Sequence, residues 1–488
     1  MAPQFTLNPV AVASMAVAGM SEAWGIAGDL LGGTKAMRVA GVRHLPKWPK
    51  ETQDNYSKRL NASTLFPAYS RTVTTLAAKP FSRPVTLNKD IPSQLLPWLD
   101  DIDMMGRSIA EFSADMLATA LGYGMGGILV DAPVRDGIAN TQAAEKAAGV
   151  RPYFAKVMPT DMLGWIVEMM NGKPTLTQVR FYETVEEKGT DGFSTNKIRQ
   201  IKVIGIGQWS IWRENPFRQW VQISQGTTSI DFVPFVPVYG EFLGFMLSKP
   251  PLIELAYLNI KHWQSQSDQD NLLHFARVPI LGVATDDTQF ELTISGNVAV
   301  RIPADAKLSY TEHTGKSIEA GKTSLDDLKD EMRQSGAELL VFRDAPATAT
   351  EINDDASVGT CALQRVTQAL QDSLIIALDM MAKWIRITSG GGTLKLFNEF
   401  GAEAMDDALN QLLVALPDDG LLSRESTYNE LQRRWNLNPG VTWKDEKTKI
   451  DADKVENQAA ALANATVLAA VAPRNPVGPQ NNLPTGSK

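Results

Sequence analysis

Between Ser108 and Gly124 the apolar positions recur with a helical period, placing Ile109, Phe112, Met116 and Ala120 on one face. Ser108 and Glu111 stand at capping-box spacing ahead of them, so the stretch predicts a helix with a defined start. The glycines of "GYGMGG" follow, and Ile128, Leu129 and Val130 then run into Asp131 and Pro133. We read Gly122 as the helix C-cap, Gly124 to Gly127 as a tight turn, and the apolar run as a strand. A phosphate-binding glycine loop needs the opposite order, with a strand before the glycines and a helix after them. The cluster is therefore scaffold and not a nucleotide site.

The region from Met1 to Pro80 reads as helix and loop, with helices from Glu51 to Ser63 and from Ala68 to Ala78 separated by Pro67. From Arg151 the pattern shortens. Ile198, Ile201, Val203 and Ile206, set among polar residues and glycine turns, predict an antiparallel sheet reaching about Phe245. At Lys249 it becomes helical again, with prolines suited to a first turn and a run ending near Pro279. The middle of that helix, "QSQSDQD", is polar all round. Such a waist suits solvent or neighbours in an assembly rather than the core of a single chain. A β-rich insert follows, then a helix from about Leu325 to Phe342 with Ser324 and Asp327 at capping-box-like spacing. After the interruption "RDAPATATEIND" a long helix is expected from about Asp354 to Ile387, stopped by Gly390 to Gly392. Glu403 to Val471 is mostly helical, and the Pro-, Asn- and Gly-rich tail after it is expected to be disordered. The fold class is α+β, mainly helical.

A chain of 488 residues suggests roughly three domain-sized units. Apolar residues make up 44% and charged residues 21%, near ordinary soluble values, so composition gives no reason to expect a fibre or a membrane protein. The single cysteine, Cys361, rules out an intrachain disulfide and a cysteine-based zinc site. His44, His262, His274 and His313 are scattered, with no pair at i, i+4 to build a metal helix. The apolar run from Val10 to Met20 has no Lys or Arg before it, so it is not read as a signal peptide. It is also shorter than the ~20 residues that span a bilayer. The expectation is a protein made and kept in the cytosol. A net charge of −8 argues against a broad basic grip on nucleic acid, though it suits a surface along which a polyanion slides.

Chemistry has few candidates. "GKSIEAGKTS" holds Gly-Lys-Thr before a helix, but Lys316 stands where a P-loop needs its first glycine. It is read as a flexible hinge into a capped helix. Acidic pairs recur at Asp100, Asp101 and Asp103, at Asp268 and Asp270, at Asp286 and Asp287, at Asp354 and Asp355, and at Asp406 and Asp407. They could hold Mg²⁺ for phosphodiester hydrolysis, yet each lies in a different expected element and none has a partnering His or Lys at a telling spacing. Solvated helix ends account for them better. No catalytic residue, metal ligand or cofactor-binding residue is assigned.

Two long helices flanking a small β insert, then a Thr/Ala loop and a longer helix, form an unusual order. The stretches "DIDMMGRSIAEF", "GMGGILVDAP", "VPFVPVYGE", "KPPLIELAYLNIKHWQSQSD", "FARVPIL", "GAELLVFRDAPATATEI" and "GLLSRES" carry a resemblance across Trp48 to Asp451. The chain resembles the portal proteins of tailed bacteriophages, most of all a portal-like branch catalogued as a domain of unknown function. The resemblance implies a non-enzymatic homododecameric ring with wing, stem, clip and crown regions, at one capsid vertex of the virion. It would be the channel for double-stranded DNA packaging and ejection. It also implies contacts with the major capsid protein, the terminase large subunit and a tail adaptor or head-completion protein, assembly in the host cytoplasm, no cofactor and no membrane.

Carried onto this chain, the resemblance makes residues 1–248 the wing, 249–278 the first stem helix, 279–323 the clip and 324–341 the second stem helix. Residues 342–352 become the tunnel loop, 353–402 a long wing helix with a following strand, 403–471 the crown and 472–488 a disordered tail. Phe342, Arg343, Asp344, Ala345, Thr348 and Thr350 would face DNA from the tunnel loop. Asp286, Asp287, Phe290 and Glu291 of the clip would contact terminase or adaptor. Lys329 and Arg333, four apart on the second stem helix, either face the channel or pair with Asp326, Asp330 or neighbouring subunits. The rival readings are a metal-dependent nuclease or hydrolase and another minor virion structural protein.

Overall fold

The computed structural model describes residues 8–133, 144, 147–277, 280–284, 307–311, 316–340, 361–398, 400, 423–433 and 441–471. The chain divides into two units, Met1–Phe400 and Gly401–Lys488. The first unit opens with helices α1 (Met15–Leu31), α2 (Gly33–Ala40), α3 (Gln53–Ala62) and α4 (Ala68–Ala78). Ser14 and Thr52 start α1 and α3 as N-caps, their hydroxyls accepting from Val17 N (3.3 Å) and Asn55 N (3.3 Å). A short strand, β1 (Thr86–Leu87), leads to α5 (Ile109–Tyr123). The expected capping box is formed: Ser108 Oγ accepts from Glu111 N, and Glu111 Oε2 accepts from Ser108 N.

The glycines after α5 act differently from the sequence expectation. Gly122 stays inside the helix, and the C-cap is Gly124, in the left-handed region at φ 86°. Gly126 and Gly127 belong to strand β2 (Met125–Asp131) and not to a turn. A Cβ on Gly127 would lie 2.3 Å from the Phe235 ring, so this strand position needs glycine for space rather than for curvature.

β3 (Tyr153–Val157), β4 (Met162–Met170), β5 (Lys173–Lys188), β6 (Thr195–Gly205), β7 (Gln208–Glu214) and β8 (Trp220–Thr227) follow, then β9 (Phe235–Tyr239), β10 (Glu241–Gly244) and β11 (Leu247–Lys249). β4 to β8 form a five-stranded antiparallel meander in chain order. β2 is the middle strand of a second sheet, between β3 and β9. The rest of the unit is α6 (Ile253–Ala276), β12 (Ile280–Ala284), β13 (Lys307–Thr311), α7 (Lys316–Ala337), α8 (Ala362–Trp384) and β14 (Leu394–Lys395). β12 pairs with β13, and β14 returns to pair with β1.

β2 is apolar from Met125 to Val130 because both of its faces are buried there, and only Asp131 at its end is charged. Ile128 and Val130 enter a large core shared with α1, α4, α5, α6, α7 and α8. Met125 and Leu129, one step out of phase, enter a second core with Trp24 of α1 and with Val179 and Phe181 of the meander. Trp263, Tyr69, Phe112 and Phe154 are among the largest fully buried side chains. Burying a side chain of the Phe class contributes roughly 1.5–3 kcal/mol.

In the second unit, α9 (Arg424–Arg433) and α10 (Trp443–Val471) are joined at one end. Tyr428 Oη and Gln432 Nε2 both donate to Val441 O, and the Tyr428 and Trp443 rings lie 5.4 Å apart. Thr442 caps α10, its hydroxyl accepting from Asp445 N (3.3 Å).

Candidate functional site

The two long helices around the β12–β13 pair are the part of the chain that the sequence singled out. α6 follows Pro250 and Pro251 and sends Leu255, Ala256 and Trp263 into the large core. α7 buries Leu325, Leu328, Met332 and Gly336, a helical stripe. Two contacts fix the pair as antiparallel: Gln269 Nε2 donates to Ile318 O (2.9 Å), and Gly336 faces Leu255.

α7 starts at Lys316, so the expected start at Ser324 is corrected and "GKTS" lies within a helix instead of a hinge. The reason is packing. A Cβ on Gly321 would sit 2.1 Å from Gln269 Oε1, so glycine here lets the two helices approach. A phosphate loop needs successive N–H groups free to converge on an anion, whereas inside a helix they are committed to carbonyls four residues back.

The polar waist of α6 departs from expectation in part, because Ser267 and Gln269 are buried within the chain while Asp268 and Asp270 stay exposed. Ser267 is 2% exposed and accepts a hydrogen bond from Ser63 Oγ (2.9 Å). Gln264 Nε2 donates to His44 O (3.0 Å). One turn earlier, Asn259 accepts from Tyr69 N and donates to Phe66 O, both at 2.9 Å. Asp268 approaches Arg59, which is held by a buried ion pair with Glu51 (2.9 Å) and lies over the Trp48 ring. That guanidinium holds the Glu51 carboxyl below its usual range. The waist is polar because it meets backbone groups and short side chains of the segment from Gly41 to Tyr69.

His262 lies inside the quoted stretch "KPPLIELAYLNIKHWQSQSD" but was given no role, and it is the main residue that sequence reasoning missed. It is 2% exposed, its ring lies 5.3 Å from that of Phe66, and neither ring nitrogen has a partner among the described residues. Burial, and then the charge of Lys329, push its pKa down, so the imidazole is neutral. The available signal was spacing: Asn259, His262 and Trp263 share a face with buried Leu255 and Ala256.

Lys329 pairs with Asp326 (2.9 Å) and Arg333 pairs with Asp330, each three residues back. Lys329 lies at the edge of the buried stripe, with its side chain 31% exposed, while Arg333 points outward at 73%. Phe342, Arg343, Asp344, Ala345, Thr348 and Thr350 lie outside the described residues, as do Asp286, Asp287, Phe290 and Glu291. Of the acidic pairs, Asp101 meets Arg151 (2.9 Å), Asp103 meets Arg107, and Asp270 accepts from Gln266 (2.7 Å). Among the described residues no group of three or more His, Cys, Asp or Glu is placed to hold a metal ion. No helix among them is long and apolar enough to cross a membrane.

Comparison with curated proteins finds no match. Among solved structures, the chain is similar to one from "Virion of native gene transfer agent (GTA) particle", at 11% identity and a TM-score of 0.40 over 81% of this chain and 98% of the other. It is similar to one from "Neck of native GTA particle computed with C12 symmetry", at 12% and 0.40 over 81% and 98%. A third, from "Neck of empty GTA particle computed with C6 symmetry", gives 12% and 0.38 over 82% and 98%. Residues 251–385, from the start of α6 to the end of α8, match the family described as Domain of unknown function (DUF4055). That match bears out the resemblance to a family catalogued as a domain of unknown function.

Proposed function

We propose that this chain is a portal protein, a non-enzymatic subunit of a homododecameric ring at one capsid vertex of a tailed-phage-like virion. Double-stranded DNA passes through the ring during packaging and ejection. The observation that carries this reading is the antiparallel pair α6 and α7 flanking the paired strands β12 and β13, within the span that matches the family. The ordered motifs on either side, from "DIDMMGRSIAEF" to "GLLSRES", support it.

In this reading α6 and α7 are the stem, and Lys316 to Thr323 join it rather than the clip. β12 and β13 belong to the clip, the meander and the helices before it to the wing, residues 342–352 to the tunnel loop, and α9 and α10 to the crown. The clip receives the terminase large subunit during packaging and the tail adaptor afterwards, and the wing meets the major capsid protein. Lys329 and Arg333 offer basic groups toward the channel, each tempered by its aspartate partner. ATP hydrolysis belongs to the terminase.

Negative-stain imaging with mass determination of the purified protein tests the reading. A ring of about twelve copies with a central hole wide enough for a DNA duplex is expected, a closed cyclic assembly of one subunit type. A monomer that cleaves DNA in the presence of Mg²⁺ would overturn it in favour of a nuclease.

A further inference from the structure

Two hairpin tips at one end of the meander each hold a phenylalanine out into solvent. Phe193, between β5 and β6, is 97% exposed, and Phe217, between β7 and β8, is 77% exposed. Isolated exposed apolar residues are ordinary, but these two sit on ordered turns. Asp191 Oδ1 accepts from Phe193 N (3.0 Å), Ser194 N (2.8 Å) and Ser194 Oγ (2.8 Å). Asn215 Oδ1 accepts from Phe217 N and Gln219 N, both at 2.9 Å. An aromatic group presented on a fixed turn loses little entropy when it inserts into a partner.

The opposite end of β5 opens into a groove of about 950 Å³ between α8 and the β9–β11 segment. Lys173, Thr175 and Leu176 of β5 reach its edge, and Phe242, Phe245, Val366, Ala369, Ile376 and Met380 make it apolar. Phe242 remains 61% exposed and Ile376 47% exposed, so the groove has unfilled apolar walls. Of its charged residues, Glu241 pairs with Lys249 (3.1 Å) and Asp372 accepts from Gln368 (2.9 Å). Among the described residues Lys173 and Arg365 have no acidic partner. The Phe193 tip carries Asp191, whose hydrogen-bond donors are all neutral, with Lys188 at the base of the turn.

We propose that the Phe193 tip of one copy inserts into this groove of the next copy, with Asp191 meeting Lys173 or Arg365. The inference rests on the ring reading and deepens it by naming a contact between subunits. Tip and groove stand at opposite ends of the strand Lys173–Lys188, about 50 Å apart at a rise of about 3.3 Å per residue. They cannot meet within one copy. Between copies the contact is head-to-tail, the kind that closes into a ring when the rotation permits.

The test is a chain carrying both F193C and I376C, oxidised and run on a denaturing gel without reductant. Both positions are exposed, and the native Cys361 is buried. A disulfide needs Cα atoms within about 7 Å, so only neighbouring copies can join, and a ladder of multimers is expected. A control pairing F193C with M105C, another exposed position, should give about tenfold less product, as expected when the proposed contact is favoured by about 1.4 kcal/mol over chance encounter. Equal ladders from the two chains, or none from either, overturn the proposal. Imaging the same samples separates the two readings. Rings without the F193C and I376C ladder sink this contact alone, whereas no ring and no ladder sinks both.

Discussion

Gly124 carries more of the fold than its neighbours in the glycine cluster. Its φ of 86° suits a residue without a side chain, and a Cβ there would lie 2.3 Å from the carbonyl carbon of Lys249 and 2.4 Å from Pro250 N. Its own carbonyl accepts from Gly240 N (2.6 Å) and from Ser248 Oγ, tying the end of α5 to the strands leading into α6. G124A is therefore predicted to cost about 3 kcal/mol or more, from left-handed strain plus a clash with backbone that cannot step aside. G122A is the contrast. That residue is helical, the nearest obstacle is the end of the Leu31 side chain, and alanine improves helix propensity by about 1 kcal/mol, so the net change is near zero. Urea denaturation of both variants checks this, and equal midpoints would show that Gly124 is not the critical cap. The sequence made a helix-to-strand turn legible here. Which glycine formed the turn was not legible, because Lys249 and Phe235, which decide it, lie far along the chain.

At the level of elements, the helices, the length of α6 and the antiparallel meander were legible from periodicity and caps, while the start of α7 and the partners of the α6–α7 pair were not. Ser324 and Asp327 imitate a helix start, yet α7 begins at Lys316 because Gly321 allows α6 and α7 to pack side by side further out. Likewise "QSQSDQD" looked solvent-facing because a polar side chain gives no sign of whether its hydrogen bonds go to water or to a neighbouring helix. His262 gives this helix pair a pH dependence. Its folded pKa lies below its unfolded value, so the unfolded state binds more protons between the two values. The stability it confers is complete above the unfolded pKa of about 6.5 and declines as pH falls toward the folded value. H262L is predicted to flatten this part of the curve of melting temperature against pH between about pH 7 and pH 5. A parallel fall in wild type and variant would mean that other groups set the slope.

For the whole molecule, the order of elements was readable, but the distant pairings that close it were not. Nothing in "TL" at Thr86 and Leu87 announces that Leu394 and Lys395 will be their partners. Under the portal reading, deleting Phe342 to Thr350 is predicted to leave ring assembly intact while impairing DNA packaging or retention. Packaging assays on particles built with the deleted chain decide this, and normal packaging would show that the segment does not line the channel. The β1–β14 pair also bears on how the protein is made. Asp90 accepts from Thr393 N (3.1 Å) and Thr393 Oγ1 (2.8 Å), so the same seam is held by side chains as well as by the strand pair. The intervening chain emerges from the ribosome at about 5–20 residues per second, so β1 waits on the order of 15–60 s for its partner. For that interval the faces of α5, β2 and β9 that α8 later covers are open to water. The nascent chain thus depends on something other than its own core to keep it from aggregating.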